Sequence, residues 1–149
     1  MTLETRAVLQ NLLDASDEEK QEYGSEGYNL LTMYLSQVGI EGKDFDDFIL
    51  EVTKLFVSAD RSCHIKELFY FEHVTNKTYA PKEFYNLTNG GADPSFVRYM
   101  LLKLYKFDKY PLGYLLQYVA GLIASDDEIN TKELKLYDTI MQIYEMKEE

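Results

Sequence analysis

A single pattern occurs twice in this chain at a fixed spacing, and that repetition narrows the folds open to it more than any other feature. Gly121 to Tyr137 reads GLIASDDEINTKELKLY, an apolar helix end, an acidic loop and the capped start of another helix. Phe56 to Phe71, FVSADRSCHIKELFYF, is a weaker copy. Asp60 stands to Asp126, and Glu67 to Glu133, at the same offset of 66 residues, and Lys66-Glu67-Leu68 answers Lys132-Glu133-Leu134. One ungapped alignment relates the two, which predicts an internal duplication. Each copy needs a helix that enters an acidic loop and a helix that leaves it.

The remaining punctuation agrees with a helical chain. Leu3, Ala7, Val8 and Leu12 recur at helical spacing and predict a short first helix. Ser16 with Glu19 three residues later reads as a capping box that starts a second helix, with Tyr28, Leu31, Leu35 and Val38 on its apolar side. Gly24 and Gly27 weaken its first half, and Gly39 is placed to close it with a left-handed cap. Asp44 is the expected cap of a third helix with Phe45, Phe48, Ile49, Val52, Leu55 and Phe56 inward. A fourth helix is expected to bury Ile65, Leu68 and Phe69 and to end near Asn76.

Pro81, Pro94 (behind Asp93) and Pro111 each mark a helix start, because a missing N–H costs nothing there. The Pro111 helix is almost wholly apolar and is expected at the centre. The final helix is read from Thr131 to Met146. No stretch alternates apolar and polar residues over a strand's length. The expected fold is therefore all-α, a bundle of about seven helices with two pseudo-symmetric halves. Residues 1–149 are read as one domain, divided into an N-terminal extension (1–19), a first half (20–76) and a second half (77–149).

Charge and cysteine usage bound the partners. The chain has 26 acidic and 15 basic residues, a formal charge of −11, which repels nucleic acid phosphates. The same charge suits a cation or a basic protein surface. A lone Cys63 forms no internal disulfide, and the N-terminus has no basic region followed by an apolar run, so a cytoplasmic location is expected. Leu112 to Ala124, interrupted by Gln117, is shorter than the roughly 20 residues of a membrane span, so no membrane insertion is expected.

The pattern small-small-Asp-x-x-hydrophobic-x-x-x-Glu, at Ala124 to Glu133 and echoed at Ser58 to Glu67, resembles the signature of the tellurite-resistance TerB-like family. The resemblance spans roughly Lys20 to the C-terminus. It implies a compact helical domain with two such motifs, acidic clusters suspected of binding metal, a link to stress response, and a role in multi-protein assemblies rather than catalysis. Two departures stand out. The family's pattern commonly has Gly after the Asp, where this chain has Arg61 and Asp127, so an altered loop is expected. The hydrophobic position that follows holds Ile129 in the second copy but Cys63 in the first.

The residues themselves suggest what the second loop can do. Asp126, Glu128, Asn130 and Glu133 place oxygens toward one helix N-terminus, a set that suits a hard divalent cation such as Ca²⁺ or Mg²⁺. Asp60 and Glu67 are the equivalents in the first copy, weakened by Arg61. The same residues also read as a capping box at Asn130 to Glu133, which needs no ion. Cys63, His64 and His73 lack the four-ligand spacing of a zinc site. No nucleophile elbow, phosphate loop or His-Glu-x-x-His motif is present, so no catalytic residue is assigned. A noncatalytic binding module with a protein partner is the leading expectation. A small acidic inhibitor or immunity protein is the alternative, and a metal-dependent enzyme the third. Tyr99, Tyr105, Tyr110, Tyr114 and Tyr118 fall densely between Pro94 and Gly121; such residues at helical spacing more often fill a core, and an exposed subset that serves as contact surface is the alternative.

Overall fold

The second helix shows how local sequence sets the frame. Ser16 Oγ accepts the Glu19 N–H (3.1 Å) and Glu19 Oε1 accepts the Ser16 N–H (3.2 Å), so the capping box is formed. At the other end the Ile40 N–H reaches the Leu35 carbonyl (2.8 Å) and the Gly39 N–H that of Ser36 (3.2 Å), with Gly39 at φ +85°. That is a Schellman closure, and Ile40 buries itself beside Leu35. Between these seals runs α2, Asp17–Gln37.

The computed structural model describes residues 3–60, 65–107 and 110–148. The other helices are α1 (Leu3–Asp14), α3 (Lys43–Val57), α4 (Ile65–Thr75), α5 (Pro81–Asn89), α6 (Pro94–Phe107), α7 (Tyr110–Ala124) and α8 (Thr131–Glu148), with a short 3₁₀ turn at Ser58–Asp60. Among the described residues there are eight α-helices and no strand, so the all-α expectation holds. No helix among them is long and apolar enough to cross a membrane.

Helix α7 is the axis. Eleven of its residues, among them Leu115, Leu116, Val119, Leu122 and Ile123, are buried, and it packs along α2 more extensively than any other two helices pack together. The close approach depends on small residues. The buried stripe of α2 runs Lys20, Gly24, Gly27, Leu31, Leu35, and a Cβ on Gly27 would meet the Tyr114 carbonyl at 2.6 Å. The glycines that weaken the helix in isolation are what allow it to dock.

Two details differ from expectation. The residue preceding α3 as N-cap is Gly42, at φ +60°, with no side-chain cap; Asp44 lies inside the first turn, where a carboxylate still complements the helix dipole. The buried face of α4 is Glu67, Leu68, Tyr70, Phe71 and Val74, while Ile65 and Phe69 face solvent. The face turns because Tyr70 is drawn toward the glycines of α2 and α7. Pro111 is the second residue of its helix, within the first turn as expected. Helix α1 contributes Leu9 and Leu12 to a core that every other α-helix also joins.

Two helix boundaries keep the 66-residue offset to within one residue. Moved by 66 residues, the start of α4 at Ile65 falls on Thr131, where α8 begins, and the end of α3 at Val57 falls one residue short of the end of α7 at Ala124.

Candidate functional site at the second acidic loop

Helix α7 ends at Ala124, and the Ser125 and Asp127 N–H groups fold back onto the carbonyls of Leu122 (3.2 Å) and Ala124 (3.0 Å). Asp127 then adopts φ +66°, the left-handed conformation. Asp tolerates this conformation better than most residues with a side chain.

What Asp127 gains in return is a pair of ionic hydrogen bonds. Its Oδ1 accepts from Lys20 Nζ of α2 at 2.6 Å, and its Oδ2 accepts from Lys66 Nζ of α4 at 2.5 Å. Lys66 also lies 3.7 Å from Asp17. The Lys20 side chain is only 1% exposed, whereas that of Asp127 is 49% exposed. Lys20 and Lys66 hold the Asp127 carboxyl down at about pKa 2, chiefly through these hydrogen bonds. Asp127 in turn raises the Lys66 pKa. A small cavity of about 50 Å³, lined by Asp17, Lys20, Gln21, Lys66, Phe69, Tyr70 and Ser125, adjoins the bridge. Neither Lys20 nor Asp127 was singled out from sequence as a site residue. They lie 107 positions apart, too far for any local pattern to pair them.

Of the four residues read as cation ligands, Asp126 and Asn130 hold local backbone groups. Asp126 Oδ1 accepts the Glu128 N–H (3.1 Å), closing a turn within the loop, and Glu128 itself is exposed. Asn130 Oδ1 accepts from the N–H groups of Lys132 (2.7 Å) and Glu133 (3.3 Å), which makes it the cap of α8. Glu133 is buried in the first turn. In the first copy Glu67 is buried at the equivalent place, the third residue of α4. The Asp60 side chain, Arg61, Cys63 and His64 lie outside the described residues. Among those described, no three His, Cys, Asp or Glu side chains gather closely enough to hold a metal ion. His73 is exposed near the end of α4.

Behind the loop lies a second polar arrangement, wholly buried. Tyr70 of α4 projects between α2 and α7, donating its hydroxyl to the Tyr118 carbonyl at 2.5 Å. A Cβ on Gly24 or Gly121 would overlap that hydroxyl. Thr53 Oγ1 donates to the Ile49 carbonyl (2.7 Å) and so accepts from the Tyr118 hydroxyl, also 2.7 Å away. Burial pushes the Tyr70 and Tyr118 phenols well above their ordinary range, so both stay neutral.

No protein-family model matches the chain, nor does any curated protein or solved structure.

Proposed function

We propose that the chain is a noncatalytic TerB-like binding module of the cytoplasm, linked to stress or tellurite resistance and acting through a protein partner. The observation that carries this reading is the doubled unit: two Asp-loop-Glu segments at one offset, each with its Glu buried at the third residue of the following helix. Partner binding is favoured over a cation role because the second loop spends its oxygens on its own backbone and on Lys20 and Lys66. A divalent ion at Asp126, Glu128, Asn130 and Glu133 would have to displace the cap and the turn.

Cells expressing the chain should survive tellurite better than cells carrying an empty vector. Calorimetry of the purified protein with Ca²⁺ and Mg²⁺ should show no heat at millimolar ion. Unchanged survival would remove the stress-response reading. Heat of binding that is lost in Asp126→Ala would restore the cation site. The charge of −11 favours one alternative, a small acidic inhibitor or immunity protein that covers a basic surface. That alternative gains if survival is unchanged and the chain neutralises a basic toxin.

A further inference from the structure

Lysines 20, 54, 66 and 77 each have a carboxylate within 4 Å. Lys43, Lys82, Lys132 and Lys135 have none among the described residues, and helix α6 gathers three more such cations on one helix. Its 14 residues include Arg98, Lys103 and Lys106 and no acidic residue, although acids outnumber bases 26 to 15 in the whole chain. Among the described residues none of these three cations has a carboxylate partner. Lys103 instead lies over the ring of Tyr99, 5.9 Å from its centroid.

The arrangement of these residues is ordered by the helix. Arg98, Leu102 and Lys106 form one row at four-residue spacing, and Tyr99 and Lys103 form the row beside it. Val97, Met100, Leu101 and Leu104 fill the opposite side and are buried. The core has therefore taken its share of α6, yet Tyr99 remains 61% exposed and Leu102 48% exposed. Two apolar side chains ringed by three cations without carboxylate partners make a face that the fold itself does not use.

We propose that this outer face of α6 docks an acidic segment of a partner protein, with an apolar side chain of that segment seated on Tyr99 and Leu102 and its carboxylates paired to Arg98, Lys103 and Lys106. Charge complementarity selects the occupant. A short segment suits the face better than a whole acidic surface. Screening over about 8 Å at physiological salt lets it see the local cations rather than the remaining acids of the chain. A second copy carries −11 against −11 and is repelled. An extended anionic membrane would meet that same charge while receiving only two apolar side chains. The inference stands on α6 alone and does not depend on the TerB-like reading.

The test uses the full chain and a short synthetic peptide with Leu and Phe one helical turn apart, flanked by glutamates. A peptide with lysine in place of each glutamate is the control. Amide NMR should show shifts centred on residues 97–106 with the acidic peptide only, weakening as salt is raised. Arg98→Glu/Lys106→Glu should lower the affinity on the order of tenfold, and Tyr99→Ala should weaken it with an unchanged melting temperature. The proposal is overturned by no shift at millimolar peptide, by equal binding of the lysine peptide, or by shifts that map elsewhere. It is also overturned if vesicles of phosphatidylcholine and phosphatidylserine in equal parts bind where the peptide does not. Self-association abolished by the charge reversal would overturn it as well, by assigning the face to a second copy.

Discussion

The bridge of Lys20, Asp127 and Lys66 and the chain of Tyr70, Tyr118 and Thr53 both use the same side of α4, since Lys66 and Tyr70 are four residues apart. They join the helices by opposite means. The first is ionic and half open to water; the second is neutral and closed. In the first, strength comes from charge, so geometry is forgiving and the solvent decides how much survives. In the second, every group is desolvated, so fit decides and salt is irrelevant. One end of the bundle is thus adjustable by conditions and its middle is not.

The sharpest break should come in the middle. Gly24→Leu forces a side chain into the Tyr70 ring and is expected to cost more than about 3 kcal/mol, enough to threaten folding. Gly24→Ala measured alone and with Tyr70→Leu forms a double-mutant cycle. Urea melts should show the alanine better tolerated in the second background, and equal costs would mean that Tyr70 is not the obstacle.

At the ionic end the two partners should be unequal. Asp127→Asn leaves the Lys20 ammonium buried without its counter-charge. It should cost about 2 kcal/mol, less than for a fully buried pair because half of Asp127 already meets water. Lys20→Met leaves Asp127 in water and on Lys66, and should cost under about 1 kcal/mol. Denaturation that ranks Lys20→Met as the worse variant would contradict the assignment of the buried charge. Raising salt should shrink the Asp127→Asn effect and leave Thr53→Val, expected at about 1–2 kcal/mol, unaltered.

The pH response sharpens the same contrast most gently. The Asp127 carboxyl is lowered on folding, from an ordinary value of 3.8 to about 2. Its contribution is therefore complete above the ordinary value and is lost as pH falls through that interval. The buried tyrosines are raised on folding, so their contribution is complete below roughly pH 10 and declines above it. Asp127→Asn should flatten the acid limb of a stability profile and leave the alkaline limb in place. An unchanged acid limb would show that Asp127 does not titrate as described.

Sequence revealed what local rules govern. The Ser16 box, the Gly39 closure, the proline starts and the apolar stripe of α3 are all set within a few residues, and all are found. Asn130 as a cap was legible for the same reason. Tyr99 and Tyr110 form an exposed subset, while Tyr118 is buried, which periodicity alone did not separate. What escaped depends on partners distant in the chain. Ile65 and Phe69 share helical spacing with Leu68, and only the pull of Tyr70 into the Gly24 and Gly121 gap turns them outward. Lys20 sits in an acidic run, and its burial depends on Asp127, 107 residues away.

The pairing of α2 with α7 also orders events in time. The 72 residues from Val38 to Lys109 separate the two helices, so a ribosome adding about 5–20 residues per second releases the first roughly 4–14 s before the second begins to emerge. Throughout that interval α2 lacks the helix it packs along most extensively. The nascent chain therefore cannot complete its fold from the front, and it presents a sticky helix that a chaperone can hold. The segment between α4 and α5 is a natural place to divide the chain into two pieces that mature only by finding each other.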